Sequence, residues 1–221
     1  MDITWRPRVK VCCIGSVDEA RMAIRMGASA LGFVSSMPSG PGVIPDERIA
    51  EIAAIVPPGV ASVLLTSRQD AAGIVAQQRA AGVNTIQIVD RLTHGTYHDL
   101  REAMPGVALM QVIHVTGPES LDEAMAVAPH VNALLLDSGN PALAVKELGG
   151  TGRVHNWEIS RTIREQSPVP IYLAGGLKPE NVAAAIRTVG PFGLDLCSGV
   201  RTDGALDEAK LTAFFEAARS D

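Results

Sequence analysis

The chain is 221 residues long, 47% hydrophobic and 19% charged, with a formal net charge of −5. That balance argues against a disordered tail and a polybasic nucleic-acid binder, and the length suits one α/β domain spanning residues 1–221. No apolar run reaches the roughly 18 residues a membrane span needs, and the start, MDITWRPRVK, has no signal-peptide core, so a cytoplasmic protein without membrane or nucleic-acid partners is expected.

Short apolar runs alternate with segments of helical period all along the chain. VKVCCI is followed by VDEARMAIRMG, ALGFV by PDERIAEIAAIV, ASVLL by DAAGIVAQQRAAG and TIQIV by TYHDLREAM. The second half continues with VALMQVIHV and PESLDEAMAVA, NALLLD and NWEISRTIREQ, PIYLAGG and PENVAAAIRTVG, then GLDLCSG and LDEAKLTAFFEAA. The strands are apolar almost throughout, as in parallel sheets buried on both faces. Ser16, Pro45-Asp46, Pro118 and Pro179 read as helix starts, and Gly27, Gly82 and Gly190 as helix stops. Eight such units in this length point to a single (β/α)8 TIM barrel. An open doubly wound sheet is the competing architecture, and the absence of an early GxGxxG counts against it.

In such a barrel the C-terminal ends of the strands and the following loops form the active site. The strand-closing residues are Cys12 and Cys13, Phe33, Gln87, His114, Asp137, Gly175 and Gly176, and Asp195 with Cys197 and Ser198. Three cysteines, two of them adjacent, do not make a disulfide framework, and no Cys or His pair has zinc-finger spacing. A free thiol and no metal are expected. Adjacent strand residues point to opposite faces, so one of Cys12 and Cys13 should lie inside the barrel and the other under the helices. Asp137 closes NALLLD, where partial burial would favour a protonated form able to donate. Gly175, Gly176, Ser198 and Gly199, in LAGGL and CSGV, occupy the positions where backbone N–H groups cradle phosphate in barrels. GGTG, at 149–152, lies in a loop of roughly 18 residues, long enough to suggest a functional role and to add Gly150 as a binding candidate.

In this order and at barrel spacing, KVC, GASALGFV, LLLD, GGTG with Trp157 soon after, LAGGLKPENVAAAI and DLCSGV resemble the phosphoribosylanthranilate isomerase family, from Lys10 to about Phe215. The resemblance implies an Amadori rearrangement of an N-glycosidic aldose 5-phosphate to the 1-amino-1-deoxy-ketose, in tryptophan biosynthesis and without cofactor or metal. It makes Cys12 the general base at C2 and Asp137 the general acid at the ring oxygen. It sets Asp195 against a sugar hydroxyl, and places Cys13 where the family usually has glycine. Lys10, on the same strand face as Cys12, would lower the thiol's pKa from about 8.5 or fill an ion pair.

Departures from the family pattern cluster on the aromatic and ribose side. The loop SSMPSGPGVIP has no arginine where the family carries Ser-Pro-Arg beside the anthranilate, and the usual Gln-Leu-His-Gly reads QIVD, keeping Gln87 but ending in Asp90. His155-Asn156-Trp157 replaces Phe-Asp-Trp, with Asn156 still able to cap a helix, and Arg201 stands where glutamate usually follows Ser-Gly-Val. His114 occupies a position where lysine is common. Arg201 or His114 is therefore expected to replace the missing arginine as a substrate-binding residue. Trp5 and Trp157 are expected to be packing anchors. The partner is then a phosphorylated sugar, and the protein a monomer or homodimer. Two other readings stay open: an isomerase for another phosphorylated sugar amine, and a non-catalytic phosphometabolite-binding barrel.

Overall fold

The computed structural model describes residues 6–140, 142–143, 145–150 and 152–219. Trp5 and Thr151 of the GGTG cluster lie outside the described residues. Eight parallel strands close in the order β1 (Arg8–Val11), β2 (Ala30–Val34), β3 (Ala61–Thr66), β4 (Thr85–Ile88), β5 (Ala108–His114), β6 (Ala133–Asp137), β7 (Ile171–Leu173) and β8 (Gly193–Leu196). Helices α1 (Val17–Met26), α2 (Asp46–Ala53), α3 (Ala71–Ala81), α4 (Tyr97–Ala103), α5 (Ser120–Val127), α6 (Trp157–Gln166), α7 (Val182–Val189) and α8 (Glu208–Ala217) follow the strands in turn. The barrel expected from the alternation is the one observed.

Local chemistry sets the boundaries. Ser16 accepts from the Glu19 amide, Asp70 from Gly73 and Asn156 from Glu158, each satisfying an orphan N–H of the first turn. At the other end of α1, α3 and α7 the chain turns left-handed at Gly27, Gly82 and Gly190, as their positions suggest. A hairpin not anticipated from the sequence, β9 (Arg201–Thr202) with β10 (Ala205–Leu206), precedes α8. Its turn is Asp203-Gly204, both at positive φ (50° and 82°), which is the backbone a two-residue hairpin needs.

Strand pleating divides the core in two. Outward residues such as Leu31, Phe33, Leu64, Ile86, Leu134 and Leu194 pack against the helices with Ile49, Ile74, Leu100 and Phe214. Phe33, one of the strand-closing residues, therefore lies under the helices and away from the mouth. Trp157 packs against this outer layer as well. Fully burying one such side chain contributes about 1.5–3 kcal/mol. The inward residues form a second, smaller cluster that includes Val34, Val63, Leu65, Met110, Val112, Leu135 and Ala174. Near the mouth this interior takes in polar groups, and Lys10, Gln87, Asp137 and Asp195 are all buried there.

Candidate active site

The register of β1 on β8 sets Lys10 opposite Asp195, and both side chains point inward. Their ammonium and carboxylate meet at 2.7 Å with the lysine side chain 0% exposed. A buried lysine survives only with such a partner. Burial by itself would lower the Lys10 pKa, but Asp195 and the neighbouring Cys12 reverse this and hold the ammonium above its ordinary value. Burial pushes the Asp195 carboxyl up, Lys10 offsets part of that rise, and Asp137 adds to it.

Cys12 follows on the same face as Lys10, as the pleat requires. Its thiol is free, buried and pushed up to about 11, because desolvation outweighs the lowering by Lys10. The downward shift expected from Lys10 is thus corrected: the cation is real, but it is already shared with Asp195 and cannot offset full burial. Gly32 on β2 makes room for this group, since a Cβ there would lie 2.8 Å from the Cys12 Sγ and 3.0 Å from the Lys10 Nζ. Gly32→Ala is expected to displace the thiol and lower kcat/KM about tenfold while the fold persists by circular dichroism; unchanged kinetics would count against this packing.

Cys13 corrects the sequence reading twice. It does not go under the helices: its backbone turns left-handed (φ 62°), so it joins Cys12 in the pocket wall. Such a φ favours glycine, which is what the resembling family usually has there. Nor is it a lone thiol, for Cys13 is in a disulfide with Cys197 across the β1–β8 seam, with Cα atoms 5.9 Å apart. Counting cysteines could not reveal a pair 184 residues apart in sequence.

Asp137 ends β6, 7% exposed, and accepts from the Ser138 amide through Oδ1 at 2.7 Å. Its Oδ2 lies 2.7 Å from where a Cβ on Gly149 would stand, so a side chain at Gly149 would collide with the carboxylate. One pocket is lined by Cys12, Gln87, Asp137, Gly150, Gly175, Gly176, Asp195 and Ser198, which brings together most of the residues singled out from sequence. Gln87 Oε1 is buried there without a protein partner. Gly199 is the exception among the cradle glycines: it is absent from the pocket lining and packs on the Leu177 carbonyl. The loop after β2 and the loop after β6 meet over the pocket, with Ser39 Oγ donating to the Lys146 carbonyl at 2.6 Å and Gly150 against Pro41. Met37, Pro41 and Leu148 add apolar wall that sequence reasoning missed, because nothing in a loop's pattern tells which of its side chains will face inward.

Two expected substrate contacts fall elsewhere. Arg201 neither faces the pocket nor sits on the loop surface. Its guanidinium pairs with Glu19 at 2.8 Å and donates to the carbonyls of Cys13 (2.5 Å) and Cys12 (3.4 Å), with the side chain 9% exposed. It is a clamp beneath the strand end, drawn in by a carboxylate on α1. His114 lines a neighbouring cleft with Asp90, and its Nε2 is bonded to the Val89 carbonyl at 3.0 Å. Asp90 itself pairs with Lys146 of the loop after β6. Among the described residues no cluster of His, Cys, Asp and Glu could hold a metal ion, and no helix is long and apolar enough to cross a membrane.

Residues 9–217 match the family model described as N-(5'phosphoribosyl)anthranilate (PRA) isomerase. The chain is 36% identical over 216 residues to N-(5'-phosphoribosyl)anthranilate isomerase 2 of Methanosarcina mazei, covering 97% of this chain and 95% of that one. It is 35% identical over 217 residues to the N-(5'-phosphoribosyl)anthranilate isomerase of Haloferax volcanii, covering 96% and 93%. The crystal structure of phosphoribosyl anthranilate isomerase from Thermotoga maritima superposes with a TM-score of 0.79 at 26% identity, covering 96% of this chain and 98% of that chain. The eight-stranded barrel, the thiol and carboxyl at its mouth and these full-length matches agree: the chain belongs to the N-(5'-phosphoribosyl)anthranilate isomerase family.

Proposed function

We propose that the protein converts N-(5'-phosphoribosyl)anthranilate to the corresponding 1-amino-1-deoxyribulose 5-phosphate, with Cys12 as general base and Asp137 as general acid. The observation that carries this reading is that Cys12 and Asp137, at the ends of β1 and β6, line one pocket together with Gly175 and Gly176 after β7 and Ser198 after β8. The phosphate belongs at Gly175, Gly176 and Ser198, which line this pocket at the strand ends where barrels commonly bind phosphate. Asp137 gives its proton to the ring oxygen as the C1–O bond breaks, leaving an iminium at C1. The Cys12 thiolate then takes the C2 proton and the electron pair moves to the iminium nitrogen, giving an enolamine. Transfer of the 2-hydroxyl proton to C1 completes the ketose. The Lys10 ammonium stabilises the thiolate, and Asp195 meets a sugar hydroxyl with its outer edge. Gln87 Oε1, unpaired within the protein, accepts a second hydroxyl.

The aromatic ring goes under the loop after β2, against Met37 and Pro41. The reading carries with it a cytoplasmic setting and a monomer or homodimer.

Freshly generated phosphoribosylanthranilate, followed by loss of anthranilate fluorescence, tests the reading directly, and failure of the wild type to convert it would overturn it. The pH profile tests the base. A thiol pushed up to about 11 is mostly protonated below that pH, and its thiolate fraction grows tenfold per pH unit. The logarithm of kcat/KM is therefore expected to rise with a slope near one from about pH 7 to about pH 9. A flat profile over that range would exclude Cys12 as the titrating base.

A further inference from the structure

The Cys13–Cys197 bond lies inside the substrate pocket. Both half-cystines line it, Cys13 directly after the base and Cys197 directly before Ser198 of the phosphate cradle. The β1–β8 ladder runs up to them, with Lys10 opposite Asp195, Val11 opposite Leu196 and the Cys12 amide donating to the Leu196 carbonyl at 2.8 Å. One covalent bond thus joins the strand end that bears the base to the turn that would hold phosphate. Its Cα separation of 5.9 Å is an ordinary disulfide span, so the backbone accommodates the bond without moving.

We infer that Cys13 and Cys197 form a reversible dithiol–disulfide centre that sets the shape of the phosphate end of the pocket. Cys197 is half-buried and Cys13 buried, so an incoming dithiol reaches the Cys197 sulfur first. Its thiolate bonds to Cys197 Sγ, the Cys13–Cys197 electron pair leaves on the Cys13 sulfur, and that sulfur takes a proton. The reductant's second thiol then displaces Cys197 from the mixed disulfide. Two hydrogens have passed to the protein, and the dithiol has become a disulfide. A disulfide such as oxidised glutathione drives the reverse exchange.

The two freed thiols cannot remain at bonding distance, and the structure decides which one moves. The Cys13 carbonyl is clamped by the Arg201 guanidinium at 2.5 Å. Its side chain is walled in by the loop after β2, where a Cβ on Gly42 would lie 2.5 Å from the Cys13 Cβ. The displacement falls on Cys197 and passes to Ser198 at the start of the short 3-10 turn Ser198–Val200. Reduction therefore loosens phosphate binding more than it changes the chemical step.

The test compares wild-type protein equilibrated with oxidised glutathione and with dithiothreitol. Titration after denaturation should find one free thiol in the first and all three in the second. Reduction should raise KM for phosphoribosylanthranilate about fivefold, the scale of one polar contact, with kcat changed less than about twofold. The melting temperature should fall by about 10 °C, since opening this bond frees a closed loop of nearly the whole chain. Cys13→Gly, which suits the left-handed backbone, and Cys197→Ser should each show a KM indifferent to redox state. Three free thiols after oxidation, or equal KM and melting temperature in the two states, would overturn the inference. The kinetic arm rests on the isomerase reading; a wild type inactive in both states would sink that reading, while thiol count and melting temperature still decide the redox centre.

Discussion

Asp137→Asn and Cys12→Ala should each lower kcat on phosphoribosylanthranilate by about 10²- to 10⁴-fold, the range expected when a general acid or base is removed. Asparagine can keep the bond that Asp137 Oδ1 accepts from the Ser138 amide, so the strand end stays in place. What it loses is the transferable proton on the other atom, facing the space that Gly149 leaves open. Alanine at position 12 removes the sulfur from a site packed on Gly32 and Lys10, a deletion that costs about 1 kcal/mol and leaves a folded protein. The two groups serve successive steps on one substrate, so the double variant should be little worse than the poorer single one. Single-turnover fluorescence decay measures all three. Retention of activity within threefold in either single variant would remove that residue from its role.

Lys10→Met carries a large expected effect on stability. The ion pair with Asp195 is buried at 2.7 Å, and removing one partner of such a pair costs about 3–5 kcal/mol because the other is left as an uncompensated charge. For a barrel of this size that corresponds to a fall in melting temperature of about 10 °C. Asp195 would then take up a proton on folding, so the loss should shrink at acid pH, where the carboxyl is neutral in both folded and unfolded states. A Lys10→Met/Asp195→Leu double variant, apolar on both sides, should recover most of the lost stability. The same lysine steadies the Cys12 thiolate, so even the rescued double variant should have its pH–rate profile displaced to higher pH. A melting temperature unchanged by Lys10→Met would show that the pair contributes nothing net.

Much of the barrel was legible because its signals are local. Near-continuous apolar runs alternating with helical periods predict buried parallel strands, and Ser16, Gly27, Gly82 and Gly190 act where they stand in sequence. Asp137, Gly175, Gly176 and Ser198 were legible as well, because a strand end in a closed barrel has one place to go. What stayed hidden depended on pairs brought together by the fold. Arg201 looked like a cation free to replace the missing arginine until Glu19, 182 residues away in sequence, was seen to hold it. Cys13 was assigned to the wrong face because strict pleating was carried two residues past the end of β1, where the backbone turns left-handed. The Asp203-Gly204 hairpin was local and could have been read from its dipeptide alone.

The seam between β1 and β8 also constrains the order in which the chain can fold. Within the barrel, Lys10 on the first strand is made 185 residues before its counter-charge on the last. Until β8 docks, a growing chain that collapsed into most of a barrel would hold an ammonium in an apolar interior with no partner, at a cost of several kcal/mol. Partly made chains are thereby discouraged from closing early on themselves. The last strand brings the missing carboxylate, the β1 ladder and the Cys197 sulfur in one step, so barrel closure, charge neutralisation and assembly of the reactive mouth coincide.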